Sequence, residues 1–159
     1  MAGKPRAVLG GTFDKFHRGH RSFLRAALEG SDRLLICITS DGYALATKGH
    51  PIEPYGVRAE NVRKFVKRMR CEDRVEIVQI DNPYGPAIEE RELDVIFVTA
   101  ENEARGEEIN VLRGERGLPP LKVIEVPLEL GEDGRPISAT RIREGLIDPE
   151  GREPRDTRT

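Results

Sequence analysis

The chain has 159 residues, the length of one domain. Its 26 Lys+Arg against 28 Asp+Glu leave a formal net charge of -2, which argues against a general nucleic-acid binder yet leaves room for a small anionic ligand held by a few local cations. Hydrophobic residues make up 37%, enough for one core, and no apolar run approaches the roughly 18 residues that a membrane helix needs.

Arg6 to Gly10 reads as a first strand that ends in Gly-Gly. The basic N-terminus before it carries too short an apolar stretch for a signal peptide, so a cytoplasmic protein is expected. His17 to Glu29 reads as a helix with Phe23, Leu24, Ala27 and Leu28 on one face. Leu34 to Thr39 is a second strand, apolar without alternation, as in parallel sheets covered on both faces. Cys37 lies inside it and is expected to be a buried, inert thiol; neither Cys37 nor Cys71 sits in a CxxC pair, so neither a disulfide framework nor a zinc site is expected. Ser40 to Gly56 reads as a polar loop with prolines at 51 and 54. The next helix carries Val62, Phe65, Val66 and Met69 at i, i+3, i+4 and i+7.

Val75 to Ile80 is a third strand, Asp81 to Pro86 a turn, and Leu93 to Thr99 a fourth strand. Glu103 to Arg116 is helical and is stopped by Gly117 and Pro119. Lys122 to Leu130 is a fifth strand, followed by the GEDGRP turn and a short helix from about Ser138 to Gly145. From Pro149 the chain is rich in Pro, Gly, Arg and Asp and reads as solvated or frayed. Alternating strands and helices imply right-handed βαβ units. The expected class is α/β, a Rossmann-like parallel five-stranded sheet flanked by helices, in one domain over 1–151 with a solvated tail at 152–159. Ligands of such folds bind beyond the carboxyl ends of the strands, where the strand order switches.

The run GGTFDKFHRGH, Gly10 to His20, falls at the first strand-to-helix junction. Gly10 and Gly11 let a ligand approach the backbone, and the helix start offers free N–H groups and a positive dipole end, which suits phosphate. His17 and His20 are three apart and project on one side of the helix start, Gly19 leaves room between them, and Thr12 adds a hydroxyl. Metal ligation by the histidine pair is the weaker reading, because no third ligand stands at helical spacing and the dipole disfavours a cation. The second run, PISATRIR (Pro136 to Arg143), sets Ser138 and Thr140 at a helix start with Arg141 as a guanidinium fork for phosphate oxygens. The capping-box acid three after Ser138 is missing, and a basic residue stands there against the dipole, which makes sense if an anion sits between.

GGTFDKFHRGH resembles the first signature of the HxGH nucleotidylyltransferase superfamily, with every fixed position present. PISATRIR resembles its second, ISSTxxR, with Ala139 in place of a serine and Ser138, Thr140 and Arg141 retained. DNPYGPAIEE (81–90), the stretch 98–121 with its EIN–R–RGL–PL pattern, and the stretch 39–58 are similar to the archaeal phosphopantetheine adenylyltransferase family over nearly the whole chain. The resemblance implies a nucleotidyltransferase of coenzyme A biosynthesis: ATP plus 4′-phosphopantetheine gives dephospho-CoA and pyrophosphate, with Mg²⁺ escorting the triphosphate. It implies that His17 and His20 contact ATP phosphates and stabilise the pentavalent α-phosphorus, with Gly10, Gly11, Thr12, Phe13, Ser138, Thr140 and Arg141 also on the ATP. Lys48 looks like the family's lysine for the transferring phosphates. Arg105, Asn110 and Arg113 fall where the family binds adenosine or its phosphates. Tyr84 and Gly85 shape the pantetheine side, and the acceptor phosphate is expected to meet Lys48 with Thr12 or His17.

His50 has no matching role and reads as surface, and Glu107 and Glu108 read as a solvated helix face. No protein-held metal, nucleic acid or membrane partner is expected, and a monomer is favoured. Nicotinamide-mononucleotide adenylyltransferase, which shares both signatures, or another HxGH nucleotidylyltransferase is the alternative enzyme; a non-catalytic nucleotide sensor is the alternative of another class.

Overall fold

The computed structural model describes residues 3–155. Five strands form one wholly parallel sheet in the order β3-β2-β1-β4-β5. They are β1 (Arg6–Gly11), β2 (Arg33–Thr39), β3 (Val75–Ile80), β4 (Val95–Val98) and β5 (Lys122–Glu125). The helices are α1 (Arg18–Glu29), α2 (Asp41–Lys48), α3 (Tyr55–Arg68), α4 (Glu103–Glu115) and α5 (Ala139–Arg143). Parallel pairing needs a crossover for each strand, and the direction of winding reverses between β1 and β4, opening the sheet's carboxyl edge there.

Successive strand residues point to opposite faces, which divides the apolar runs between two cores. Leu9, Leu34, Ile36, Ile38 and Phe97 pack with Phe23, Leu24, Leu28, Val62 and Phe65 of α1 and α3. Val8, Leu35, Cys37, Ile96 and Val98 face the other way, toward Ala87, Leu93, Ile109 and Leu121. That second face is covered by α4 and by the segment between β3 and β4, whose only regular piece is a 3₁₀ turn at Gly85–Ile88. The Cys37 thiol is buried as expected; burial, with the Glu90 and Glu76 carboxylates adding to it, pushes it up to about 12.

The stretch expected as a polar loop from Ser40 to Gly56 contains α2. Ser40 caps it by accepting from the Tyr43 N–H at 3.2 Å, and Gly49 ends it in the left-handed region at φ 75. β5 stops at Glu125 rather than Leu130, and the last ladder bond beyond it runs from the Val126 N–H to the Val98 carbonyl at 2.7 Å. Leu130 instead forms an isolated antiparallel bridge with Pro136.

The chain from Pro149 does not begin as a free tail. The Pro149 carbonyl accepts from the Arg18 N–H at 2.8 Å, the Gly151 carbonyl accepts from the Glu132 N–H at 2.8 Å, and Glu150 pairs with Arg21. Gly151 is buried against Gly131 and Ile137. Of the stretch expected as a solvated tail, residues 156–159 lie outside the described residues. No helix among the described residues is long and apolar enough to cross a membrane.

Candidate active site

A cleft of about 680 Å³ opens at the carboxyl edge of the sheet. Its base is the junction of β1 and α1. His17 is the N-cap of α1, and its Nδ1 accepts from the backbone N–H of His20 at 3.2 Å; the Nδ1 of His20 accepts from the backbone N–H of His17 at 3.2 Å. This reciprocal cap satisfies two orphan donors at once, as the capping box does with a hydroxyl and a carboxylate. It also fixes the tautomers: a ring nitrogen that accepts carries no proton, so each neutral imidazole bears its proton on Nε2. The rings stack with centroids 3.6 Å apart and an interplanar angle of 18°. Burial, with Arg21 adding to it, pushes His17 down to about 4. Burial also pushes His20 well below the ordinary value, helped by His17, Arg21 and Lys48. Both rings line the cleft as neutral N–H donors.

Gly19 has a different use from the one its sequence position implies. A Cβ there would meet the His17 ring at 2.9 Å, so the missing side chain makes room for the catalytic-signature imidazole rather than for a ligand. Gly11 likewise leaves space for Phe13, whose ring a Cβ would meet at 2.9 Å. Phe13 is buried with φ 57 and Lys15 has φ 52, so the loop between strand and helix holds two non-glycine residues in the left-handed region.

That loop is tied down from below by Arg58 at the start of α3, which is fully buried. Its Nη1 donates to the carbonyls of Thr12 at 2.9 Å and Thr39 at 2.8 Å, its Nε to the Glu53 carbonyl at 2.8 Å, and its Nη2 to Asp41 at 2.8 Å. Asp14 accepts from the Glu53 N–H at 2.9 Å, and Glu53 accepts from the Lys15 N–H at 2.7 Å. The loop, the end of β2, α2 and the chain at 49–54 are thereby one hydrogen-bonded unit. Sequence reasoning did not single out Arg58; one arginine among many at the start of a helix carries no spacing signal.

Lys48 lines the cleft from the last turn of α2. His50, expected on the surface, also lines it and meets Arg143 at 3.1 Å. Tyr84 and Arg105 stand together on the opposite rim: the guanidinium lies 5.7 Å over the phenol ring. Glu108, expected to be merely solvated, accepts from the Tyr84 hydroxyl at 3.0 Å and pairs with Arg105 at 3.5 Å. Gly85 does not reach the cleft wall; at φ 51 its N–H, with that of Tyr84, bonds to the Asn82 side chain and shapes the turn.

Three expected site residues are committed elsewhere. Asn110 brackets the backbone of Leu121, donating to its carbonyl at 2.8 Å and accepting from its N–H at 2.7 Å. Arg113 is fully buried and donates to the carbonyls of Pro119 at 2.7 Å and of Ala87 and Glu90 at 2.8 Å. Arg141 turns to the Pro136 carbonyl at 2.8 Å and to Asp133, away from the cleft wall. The cation the second signature brings to the cleft is Arg143, which pairs with the buried Asp14 at 3.2 Å. The spacing held the signal: in ISSTxxR two residues separate threonine from arginine, so Thr140 leads to Arg143. Ser138 and Thr140 do line the cleft; Ser138 caps α5, accepting from the Arg141 N–H at 3.2 Å.

The cytidylyltransferase-like family model matches residues 8–145. The phosphopantetheine adenylyltransferase of Methanopyrus kandleri is 43% identical over 90% of this chain and 90% of its own length. The phosphopantetheine adenylyltransferase of Methanothermobacter thermautotrophicus is 40% identical over 91% of this chain and 86% of its own length. A crystal structure from Archaeoglobus fulgidus, described as a protein with unknown function, superposes with a TM-score of 0.68 at 33% identity, covering 76% of this chain and 88% of that one. With the stacked histidines at the strand-to-helix junction, these likenesses decide the affiliation: the chain belongs to the cytidylyltransferase-like family and, within it, to the phosphopantetheine adenylyltransferases, a nucleotidyltransferase class of enzyme.

Proposed function

We propose that the cleft binds ATP and 4′-phosphopantetheine and moves the adenylyl group from the first to the second, giving dephospho-CoA and pyrophosphate in coenzyme A biosynthesis. The observation that carries this reading is the stacked pair of neutral imidazoles, each with Nε2–H as its free donor, at the positive end of α1 beside Thr12. The acceptor phosphate attacks the α-phosphorus, the bond to the leaving pyrophosphate breaks, and negative charge spreads over the equatorial oxygens as it does so. Such a transfer needs positioning and charge stabilisation rather than a side-chain nucleophile. His17 and His20 supply N–H donors that need no proton transfer to act, so they stay in place through the step.

On this reading Arg143, with Ser138 and Thr140, holds the triphosphate from the β5 side, and Arg141 steadies the segment that carries them. Lys48 faces the acceptor phosphate, and the Tyr84–Arg105 pair receives the pantetheine arm. On this reading Mg²⁺ is carried by phosphate oxygens and water rather than by a protein cage. Mg²⁺, when bound, supplies further neutralisation of the triphosphate charge. The reading keeps the enzyme in the cytoplasm. Pyrophosphate release measured with ATP and a panel of acceptors tests it. Phosphopantetheine is expected to be the preferred acceptor; faster turnover with nicotinamide mononucleotide would reassign the substrate, and ATP binding with no pyrophosphate from any acceptor would make the protein a sensor.

A further inference from the structure

The hydroxyl of Thr12, in the cleft wall, lies 3.1 Å from the hydroxyl of Thr39 at the end of β2. Each hydroxyl has one proton, so the direction of this bond decides what Thr12 offers the cleft. If Thr39 donates, the proton of Thr12 is free for a ligand oxygen. If Thr12 donates, only its lone pairs face an anion.

Arg58 biases the choice. Its guanidinium cannot accept a hydrogen bond and does not lose its proton. Nη1, already bonded to both threonine carbonyls, also approaches Thr39 Oγ1 at 3.4 Å. A fixed positive charge on that side draws the lone pairs of Thr39 toward itself and turns the hydroxyl proton away, toward Thr12. Asp41 and the Glu53 carbonyl hold the other donors of the fork, so the guanidinium cannot swing out of this role.

We propose that Arg58 and Thr39 form an orienting relay that aims the hydroxyl proton of Thr12 into the cleft, making Thr12 a committed donor to an oxygen of the acceptor phosphate. Arg58 and Thr39 are positioning residues, since they act through Thr12. The inference rests on the reading of the cleft as a site for a phosphomonoester acceptor.

Calorimetric titration of 4′-phosphopantetheine into the wild type, Thr12→Val, Thr39→Val, Thr39→Ser and the double valine variant tests it. Valine keeps the volume of threonine and leaves the bonds of Arg58 to both backbone carbonyls in place; thermal unfolding checks that each variant is folded. Thr12→Val and Thr39→Val are each expected to weaken binding about tenfold, the scale of a hydrogen bond to a charged group. Thr39→Ser recovers most of that loss, and the double variant binds no more weakly than Thr12→Val alone. Pantetheine, which lacks the phosphate, shows less than about a twofold change throughout, because the lost bond is to phosphate. The relay is overturned if Thr39→Val costs the same factor with and without the Thr12 hydroxyl, or if Thr39→Ser binds as weakly as Thr39→Val. If the wild type does not bind phosphopantetheine, the functional reading fails on its own, and the same cycle with inorganic phosphate decides the relay by the same criteria. Failure of the wild type to bind either anion overturns both.

Discussion

Among the described residues two arginines are completely buried, Arg58 in α3 and Arg113 in α4. Both donate to three backbone carbonyls. Arg58 adds a carboxylate partner, Asp41, and two of its carbonyls belong to Thr12 and Thr39, residues that line the cleft. Arg113 has no carboxylate partner among the described residues, and its carbonyls belong to Ala87, Glu90 and Pro119, which clamp α4 to the segment covering the second core. The two side chains spend the same donors in different places. A buried guanidinium does for irregular backbone what a ladder does for a strand, and its importance to chemistry depends on whose carbonyls it holds.

The largest expected difference is in turnover. Arg58→Met leaves the carbonyls of Thr12, Thr39 and Glu53 without the guanidinium and the Asp41 carboxylate with only the Tyr55 N–H; it is expected to lower kcat about a hundredfold, as loss of site preorganisation does, and to cost about 3 kcal/mol of unfolding free energy. Steady-state pyrophosphate release and urea unfolding measure the two effects, and a variant that loses stability but keeps its kcat would put Arg58 in the same class as Arg113. Arg113→Met is expected to cost a similar ~3 kcal/mol, because three buried carbonyls lose their donor, with kcat/KM within about threefold of wild type. A loss of ATP affinity there in a well-folded protein would return Arg113 to the site.

A third measurement compares the histidine pair with its unfolded form. His17 titrates near 4 when folded against 6.5 when exposed, so the unfolded chain binds more protons between those values. Stability therefore rises with pH through that window, is fully present above about 6.5, and falls by up to about 3 kcal/mol as pH drops through it. His17→Gln should flatten that dependence in unfolding curves taken from pH 4 to 7; an unchanged slope would mean that His17 is not neutral in the fold. The smallest expected effect separates the two arginines of α5. Arg143→Lys should lower kcat/KM about tenfold, since a fork becomes a point charge, while Arg141→Lys should change it less than about twofold. The opposite ranking would restore Arg141 as the phosphate ligand.

The sequence by itself determined the strand-helix alternation, the parallel sheet and its two-sided core. It also determined the position of the first signature, because apolar periodicity and Gly-Gly before a helix are local features that the chain obeys wherever it folds. α2 had a Ser40 cap and a Gly49 stop to mark it, but its eight residues bury only Ala44 and so carry no apolar stripe. Which arginine serves what emerges only once the chain has folded. Side chains two residues apart on α5, Arg141 and Arg143, face different partners, and the sequence gives no distance to Asp133 or Asp14. The burial of Arg58 and Arg113 and the shared direction of the Thr39–Thr12 pair likewise depend on carbonyls up to 46 positions away in the chain. Local propensity reports what the backbone prefers; which donors remain for a ligand is settled only after the fold has used the others.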